Sequence, residues 1–471
     1  MEPIIRRLRR KYGPIVTLQI GSRPAIFITD HAVAHRVFIQ SRTAFASRPV
    51  LETTKVLLTD QHTLTSAPYG SLWRVLRKNF VSCFHHSRLR LYSSGRKWAL
   101  DILKDKLLAD KNLSDGILVQ DHFRHTLFSV LAYMVFGEKL EENAIREIEA
   151  LQRITVVNFN RFNVLNFMPR LGKIVFRSLW KELLEIRRNQ EHVLLPYIRA
   201  RREKINASVK GKRMQEAPTT AEKMSEKAEE EKENVPSYVD TLLDLQLPQE
   251  YGRRKLSEEE IVSLCLEFLN AGTDTTISTI QWVMANLVKF QEKQERLLRE
   301  INLVARKGEE LREEDFKKMP YLKAVVLEAI RRHPPSHFII WHAALEDTVL
   351  DGYAIPKNAM VNATVAEMGW DPSVWEDPLE FKPERFLGED GDVECDLKGV
   401  KEIKMMPFGV GIRACPAISM AFLHLEYFVA NLVREFSWTA VDGEDVDLTE
   451  KQDFTIVMKN PLRVHICPRI H

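Results

Sequence analysis

The stretch Phe408-Gly409-Val410-Gly411-Ile412-Arg413-Ala414-Cys415-Pro416-Ala417 constrains the fold more than any other. It ends a glycine-bearing loop on a single cysteine, just before an apolar helical pattern from Ile418 to Val433. A thiolate at such a junction receives backbone N–H bonds and the positive end of the helix dipole, which favour its ionised, metal-ligating form. Gly409 and Gly411 let the backbone turn tightly and pass close to a flat ligand, and Arg413 offers a fixed-charge fork for a carboxylate. On these residues alone two readings stand, a metal ligand and a buried free cysteine. The run Gly409 to Ala414 also satisfies a dinucleotide-binding fingerprint, with Glu435 near the acid's place. Pro407 interrupts the strand which that fingerprint must follow, and too little chain remains for a parallel sheet.

The whole chain of 471 residues is 45% hydrophobic and 28% charged, enough for a sizeable core. Its 68 basic and 65 acidic residues leave a formal charge of +3, which speaks against a nucleic-acid binder. The five cysteines, Cys83, Cys265, Cys395, Cys415 and Cys467, contain no Cys-x-x-Cys pair, so neither a disulfide framework nor a structural zinc site is expected. No run approaches the roughly 18 apolar residues of a membrane span, and the opening Met1-Glu2-Pro3 begins no signal peptide.

Along the chain, Arg6, Arg7, Arg9, Arg10 and Lys11 read either as a solvated helix face or as a contact with anionic lipid headgroups. Ile15 to Ile20 and Ala25 to Thr29 predict a hairpin, and Asp30 predicts the cap of a helix through Phe38. Trp73 and Arg77 are four apart and share a helix face, suited to a carboxylate or simply an aromatic beside a surface arginine. From 100 to about 200 the pattern is helix after helix. A charged segment at about 206–237, poor in apolar residues, is expected to be a disordered surface loop inside one domain that spans 1–471.

Ser257 with Glu260 forms a capping box, with Leu256 against Ile261 as its staple, for a long helix reaching about Phe290. In its middle Asn270-Ala271-Gly272-Thr273-Asp274-Thr275-Thr276 is a poor helix-forming run, of the kind that marks a functional site. A threonine hydroxyl there bonds back one turn and loosens the helix. The bland alternative is a kinked helix with a solvent-facing Asp274. Tyr321 to His333 predicts another helix, stopped by Pro334-Pro335, on which Glu328 and Arg331 read by themselves as a surface ion pair. Thr348 to Leu350 and Tyr353 to Ile355 flank a hairpin turn at Asp351-Gly352.

Phe408, Gly411, Arg413 and Cys415 resemble the haem-binding loop of the cytochrome P450 family, with Ala417 where the family usually has glycine. Trp73 and Arg77 resemble its Trp-x-x-x-Arg pair, Ala271 to Thr276 its oxygen-binding helix segment, and Glu328 to Arg331 with Pro383 to Phe386 its buried structural network. All occur in the family's order, so the resemblance extends over essentially the whole chain and is most like a plant microsomal member. It implies a mainly α fold with small β-sheets and one haem b between the long helix and the cysteine loop.

In that reading Cys415 ligates the iron, Trp73 and Arg77 hold one haem propionate and His342 the other. Phe408 and Arg413 complete the cofactor-binding set, and Asp274 and Thr275 act as the acid and alcohol that carry protons. The implied reaction inserts one oxygen atom of O2 into a small apolar substrate, with NADPH electrons from NADPH-cytochrome P450 reductase. A monomer at the cytosolic face of the endoplasmic reticulum membrane is implied, with peripheral membrane contact. Eukaryotic members usually carry an apolar anchor before the region that begins here.

Two rival classes are a haem-thiolate enzyme that rearranges a peroxide, and an impaired or incomplete relative that only binds haem or lipid. The Asp274-Thr275 pair speaks against the first. Ala417 is the residue that brings the second into view.

Overall fold

The computed structural model describes residues 1–21, 23–112, 115–167, 169–214, 235–305 and 310–469. Helices dominate it and the sheets are small. The chain forms two compact units, one of residues 1–49, 103–124 and 274–471, the other of residues 50–102 and 125–273.

In the first unit the predicted hairpin is present as Ile15–Ile20 and Arg23–Ile28, paired in register from Ile15 with Ile28 to Ile20 with Arg23. It extends to a four-stranded sheet through Met360–Ala363, parallel to the second strand, and His342–Ala343. Asp30 caps the next helix by accepting from the Val33 N–H at 3.0 Å, as its sequence position requires. That helix is short, His31–His35, and passes into a π-helical turn, Arg36–Gln40.

Ile28, Val37, Phe38, Phe45, Val361 and Met406 share one apolar core with Val410 of the cysteine loop. Burying such side chains stabilises each by roughly 1.5–3 kcal/mol, so the loop is held by packing on its own residues. Thr348–Leu350 and Tyr353–Ile355 pair across Asp351 at φ 50° and Gly352 at φ 85°, the left-handed pair of a type I′ turn.

In the second unit, helix Ser71–Cys83 is fixed by an aromatic cluster. Phe80 and Phe84 pack on Phe268 with ring centroids 5.9 and 4.8 Å away, and Tyr238 lies 5.6 Å from Phe268. Helix Arg177–Met214 continues beyond Asn206, where the charged loop is expected to start. Lys and Arg are good helix formers, so charge alone does not end it. Residues 215–234 of that expected loop lie outside the described residues.

The long helix runs Glu258–Lys289. Its capping box is formed as the spacing predicts, with the Ser257 N–H donating to Glu260 at 2.7 Å and the Glu260 N–H to Ser257 Oγ at 3.2 Å.

Candidate active site

The cysteine loop is a single 3₁₀ turn, Gly411–Arg413, set between two hydrogen bonds that fold it back on itself. The Gly409 N–H donates to Met406 O at 2.9 Å and the Cys415 N–H to Phe408 O at 2.8 Å. Gly411 has φ +68°, and a Cβ built on it lies 2.0 Å from Phe38 O, so only glycine fits. At Gly409, with φ +64°, a Cβ meets nothing nearer than Ala414 Cα at 4.0 Å, which leaves open space beside the loop. Cys415 is half-buried, and its Sγ accepts the Ala417 N–H at 3.4 Å at the start of helix Ile418–Glu435. Ala417 itself has φ −104° and ψ 19°, a conformation open to any residue, so the turn does not require glycine there. The Phe408 ring lies against Phe422, centroid to centroid 5.8 Å.

Arg413 is buried and its Nε donates to Ala46 O at 2.7 Å. His342 is buried on its strand, its ring 4.9 Å from that of Phe38. Its Nδ1 lies 2.7 Å from Phe45 O, and because a carbonyl only accepts, Nδ1 carries the proton. Burial, and then the charge of Arg48, holds the ring well below the usual histidine pKa. The neutral ring therefore presents a lone pair at Nε2 and donates there to a carboxylate only after gaining a proton. Sequence reasoning passed over Arg48, a buried cation whose Nη1 donates to Ile340 O at 2.9 Å and to Trp341 O at 2.8 Å. Its signal was a charge within the apolar run Phe45-Ala46-Ser47-Arg48-Pro49-Val50.

In the long helix, Ala271 is exposed and Thr275 half-buried, one turn apart on one face, whereas Thr273, Asp274 and Thr276 are buried. Thr273 Oγ1 makes the expected back-bond, to Leu269 O at 2.7 Å. Asp274 is not solvent-facing: Arg124 Nη1 donates to its Oδ1 at 2.7 Å, and both are almost fully buried. Arg124 was not foreseen, since it stands 150 positions away in the apolar helix Gln120–Phe136. Gly272 has a packing reason of its own, because a Cβ there lies 2.9 Å from Leu131 Cδ1.

Glu328 and Arg331 are no surface pair. Both side chains are fully buried and joined twice, at 2.7 and 2.8 Å, and Arg385 Nε reaches Glu328 at 3.1 Å. The Arg331 guanidinium also donates to Gly369 O and Pro378 O, so the network ties helix Pro320–Arg332 to the segment preceding the cysteine loop. In the other unit Trp73 is buried, with Arg77 Cζ 5.9 Å from its ring centroid and the Tyr69 ring 5.5 Å away, so the pair shares a helix face as spaced.

The family model described as Cytochrome P450 matches residues 1–468. This chain belongs to the cytochrome P450 family. It is 45% identical to Cytochrome P450 89A9 of Arabidopsis thaliana over 99% of this chain and 88% of that protein. Its identity to (+)-menthofuran synthase of Mentha piperita is 29%, over 98% of this chain and 88% of the relative. A zebra fish cytochrome P450 solved with abiraterone superposes with a TM-score of 0.77 at 23% identity, covering 99% of both chains, which is a likeness of fold.

The P450 membership makes the chain a haem-iron monooxygenase that uses O2, a substrate and a redox partner. The residues present fit the haem group. A soft sulfur ligand stands at a helix start, next to a glycine with open space at its Cβ position, and the buried cations Arg48 and Arg413 suit acidic substituents in their charge.

Proposed function

We propose that Cys415 is the haem ligand of a monooxygenase acting on a small apolar substrate, with electrons from NADPH passed by a partner reductase. The half-buried Cys415 sulfur carries this reading, because it accepts a backbone N–H on a loop held from behind by Phe38 and Val410. Hydrogen bonding to the sulfur and the helix start favour the thiolate. Cys415 would hold the haem, which would supply the dioxygen chemistry.

The protein residues bind, orient and move protons. Trp73 and Arg77 hold one acidic substituent of the cofactor, and Arg413 with Arg48 holds the other. His342 lines that second position and joins the binding set only in its protonated form. Phe408 packs behind the loop. Asp274 and Thr275 form the proton route: the Thr275 hydroxyl holds a proton on the open face of the long helix, and the Asp274 carboxyl, held in place by Arg124, passes protons on to it. In this reading residues 1–471 form one haem-thiolate domain.

An apolar substrate is in keeping with relatives named (+)-menthofuran synthase and geranylhydroquinone 3''-hydroxylase. Among the described residues no helix is long and apolar enough to cross a membrane. The exposed Arg7, Arg10 and Lys11 of helix Glu2–Tyr12 suit a peripheral contact with anionic lipid at the cytosolic face of the endoplasmic reticulum. The working unit is a monomer.

The test is the carbon monoxide difference spectrum of the reduced holoprotein. Wild type is expected to absorb at about 450 nm and Cys415→Ala to lose that band, because the band reports thiolate ligation. A Cys415→Ala protein that kept it would overturn the assignment, and NADPH-dependent turnover without any reductase would overturn the partner.

A further inference from the structure

The loop that leads into helix Ser71–Cys83 is fastened along the first half of the long helix by a polar stripe. Thr59 Oγ1 donates to Glu259 O at 3.2 Å and lies 2.8 Å from Ser263 Oγ. His62 Nδ1 lies 2.7 Å from Glu260 Oε1. At the next turn of the helix stands Glu267, partly buried, whose carboxylate receives the loop backbone. The Leu64 N–H donates to Oε2 at 2.8 Å and the Thr65 N–H to Oε1 at 2.6 Å, and the Thr65 hydroxyl donates to Oε1 as well. Such charge-assisted bonds are roughly twice as strong as neutral ones.

The loop is rigid on both sides of that anchor. The Ala67 N–H donates to Thr63 O at 2.9 Å, Thr63 and Ser66 hydroxyls are 2.8 Å apart, and Gln61 Nε2 donates to Ser66 O at 3.0 Å. Only Pro68, Tyr69 and Gly70 then separate Ala67 from the helix, and Tyr69 packs on Trp73. Displacement of Leu64 and Thr65 therefore passes directly to the helix that carries Trp73 and Arg77.

We infer that Glu267 is a positioning residue for the cofactor, acting through the Trp73–Arg77 pair. The inference rests on the reading of that pair as a holder of an acidic haem substituent. One turn before Ala271 on the same helix, Glu267 gives one element two tasks: its middle carries the proton residues and its preceding turn sets the register of the cofactor-binding helix.

The experiment is a double-mutant cycle in the haem-loaded enzyme with Glu267→Ala, Arg77→Ala and the two combined. It reads the rate of haem transfer to an excess of a haem-acceptor protein, and amide hydrogen exchange at Leu64 and Thr65. Glu267→Ala is expected to speed exchange at both amides, and each single variant to speed haem transfer, by about tenfold, the scale of losing one such bond. The double variant is expected to match Arg77→Ala, because both changes act on one contact.

Unchanged exchange in Glu267→Ala, unchanged haem transfer in that variant, or additive effects in the double variant would overturn the inference while leaving Arg77 in its role. Unchanged haem transfer in Arg77→Ala would overturn the role of the pair, and the inference with it. Should Glu267→Ala not fold, Glu267→Gln, which keeps one acceptor oxygen, goes through the same cycle with a smaller change expected at one of the two amides.

Discussion

Gly411 shows how little freedom the cysteine loop has. Its φ of +68° lies in the left-handed region, and the built Cβ lies 2.0 Å from Phe38 O, closer than any relaxation of one side chain relieves. Gly411→Ala is expected to cost the loop roughly 3 kcal/mol or more, strain and backbone clash together. The holoprotein should then lose haem and its band at about 450 nm. Thr275→Ala is a different kind of change, because the residue is half-buried on the open face of its helix and the loop that holds Cys415 is untouched. The spectrum should persist while reducing equivalents appear as peroxide in place of product. Unchanged coupling of NADPH consumption to product would remove Thr275 from the proton route. Asp274 was legible as an acid in an apolar helix, but its partner Arg124 was not, since no local spacing points to a residue 150 positions away.

Among the elements, helix Pro320–Arg332 carries a fully buried ion pair. The Glu328 carboxylate is fully buried and is held by Arg331, Arg385 and the Lys382 N–H at 2.8 Å. Breaking a buried pair leaves an uncompensated charge, so Glu328→Gln is expected to destabilise the fold by roughly 3–5 kcal/mol. A fall in the urea midpoint of the holoprotein measures it, and a change below about 1 kcal/mol, as for a surface pair, would show the network to be dispensable. The spacing of Glu328 and Arg331 was legible, but their burial was not. An ion pair three residues apart looks the same in the sequence whether it faces water or core. The resemblance to a known helix, more than the charge pattern, pointed to the interior.

At the scale of the molecule, acid should loosen the contact between the helix end at His333 and the hairpin Glu450–Gln452 with Ile456–Met458. His333 Nδ1 lies 2.7 Å from Glu450 Oε1, His337 Nε2 lies 2.9 Å from Oε2, and Arg332 approaches the same carboxylate at 3.8 Å. The Trp282 ring stacks on His333 at 3.9 Å. Burial lowers His333 from 6.5 to about 4. Burial would raise Glu450, but the hydrogen bonds from His333 and His337 hold it at about 2, against 4.5 ordinarily. In both cases the unfolded chain binds protons that the native state refuses, so stability rises with pH across these windows. It should fall as pH drops from 6.5 towards 4 through His333, by on the order of 3 kcal/mol, and again below about 4.5 through Glu450. Melting temperature against pH checks this. His333→Asn should flatten the upper window, and an unchanged slope would place the titrating group elsewhere.

What the sequence by itself determined is what short-range chemistry controls. The capping box at Ser257, the Asp30 cap, the Asp351-Gly352 turn and the shared face of Trp73 and Arg77 depend only on residues a few positions apart, whose backbone bonds and helical period are the same in any surroundings. Tertiary structure alone decided which charges meet and which are stripped of water. Arg124 on Asp274, Arg48 beside a neutral His342, and Glu267 under the Leu64–Thr65 backbone all join residues far apart in the chain. Desolvation and pairing are properties of the packed surroundings, and no periodicity in the chain encodes them.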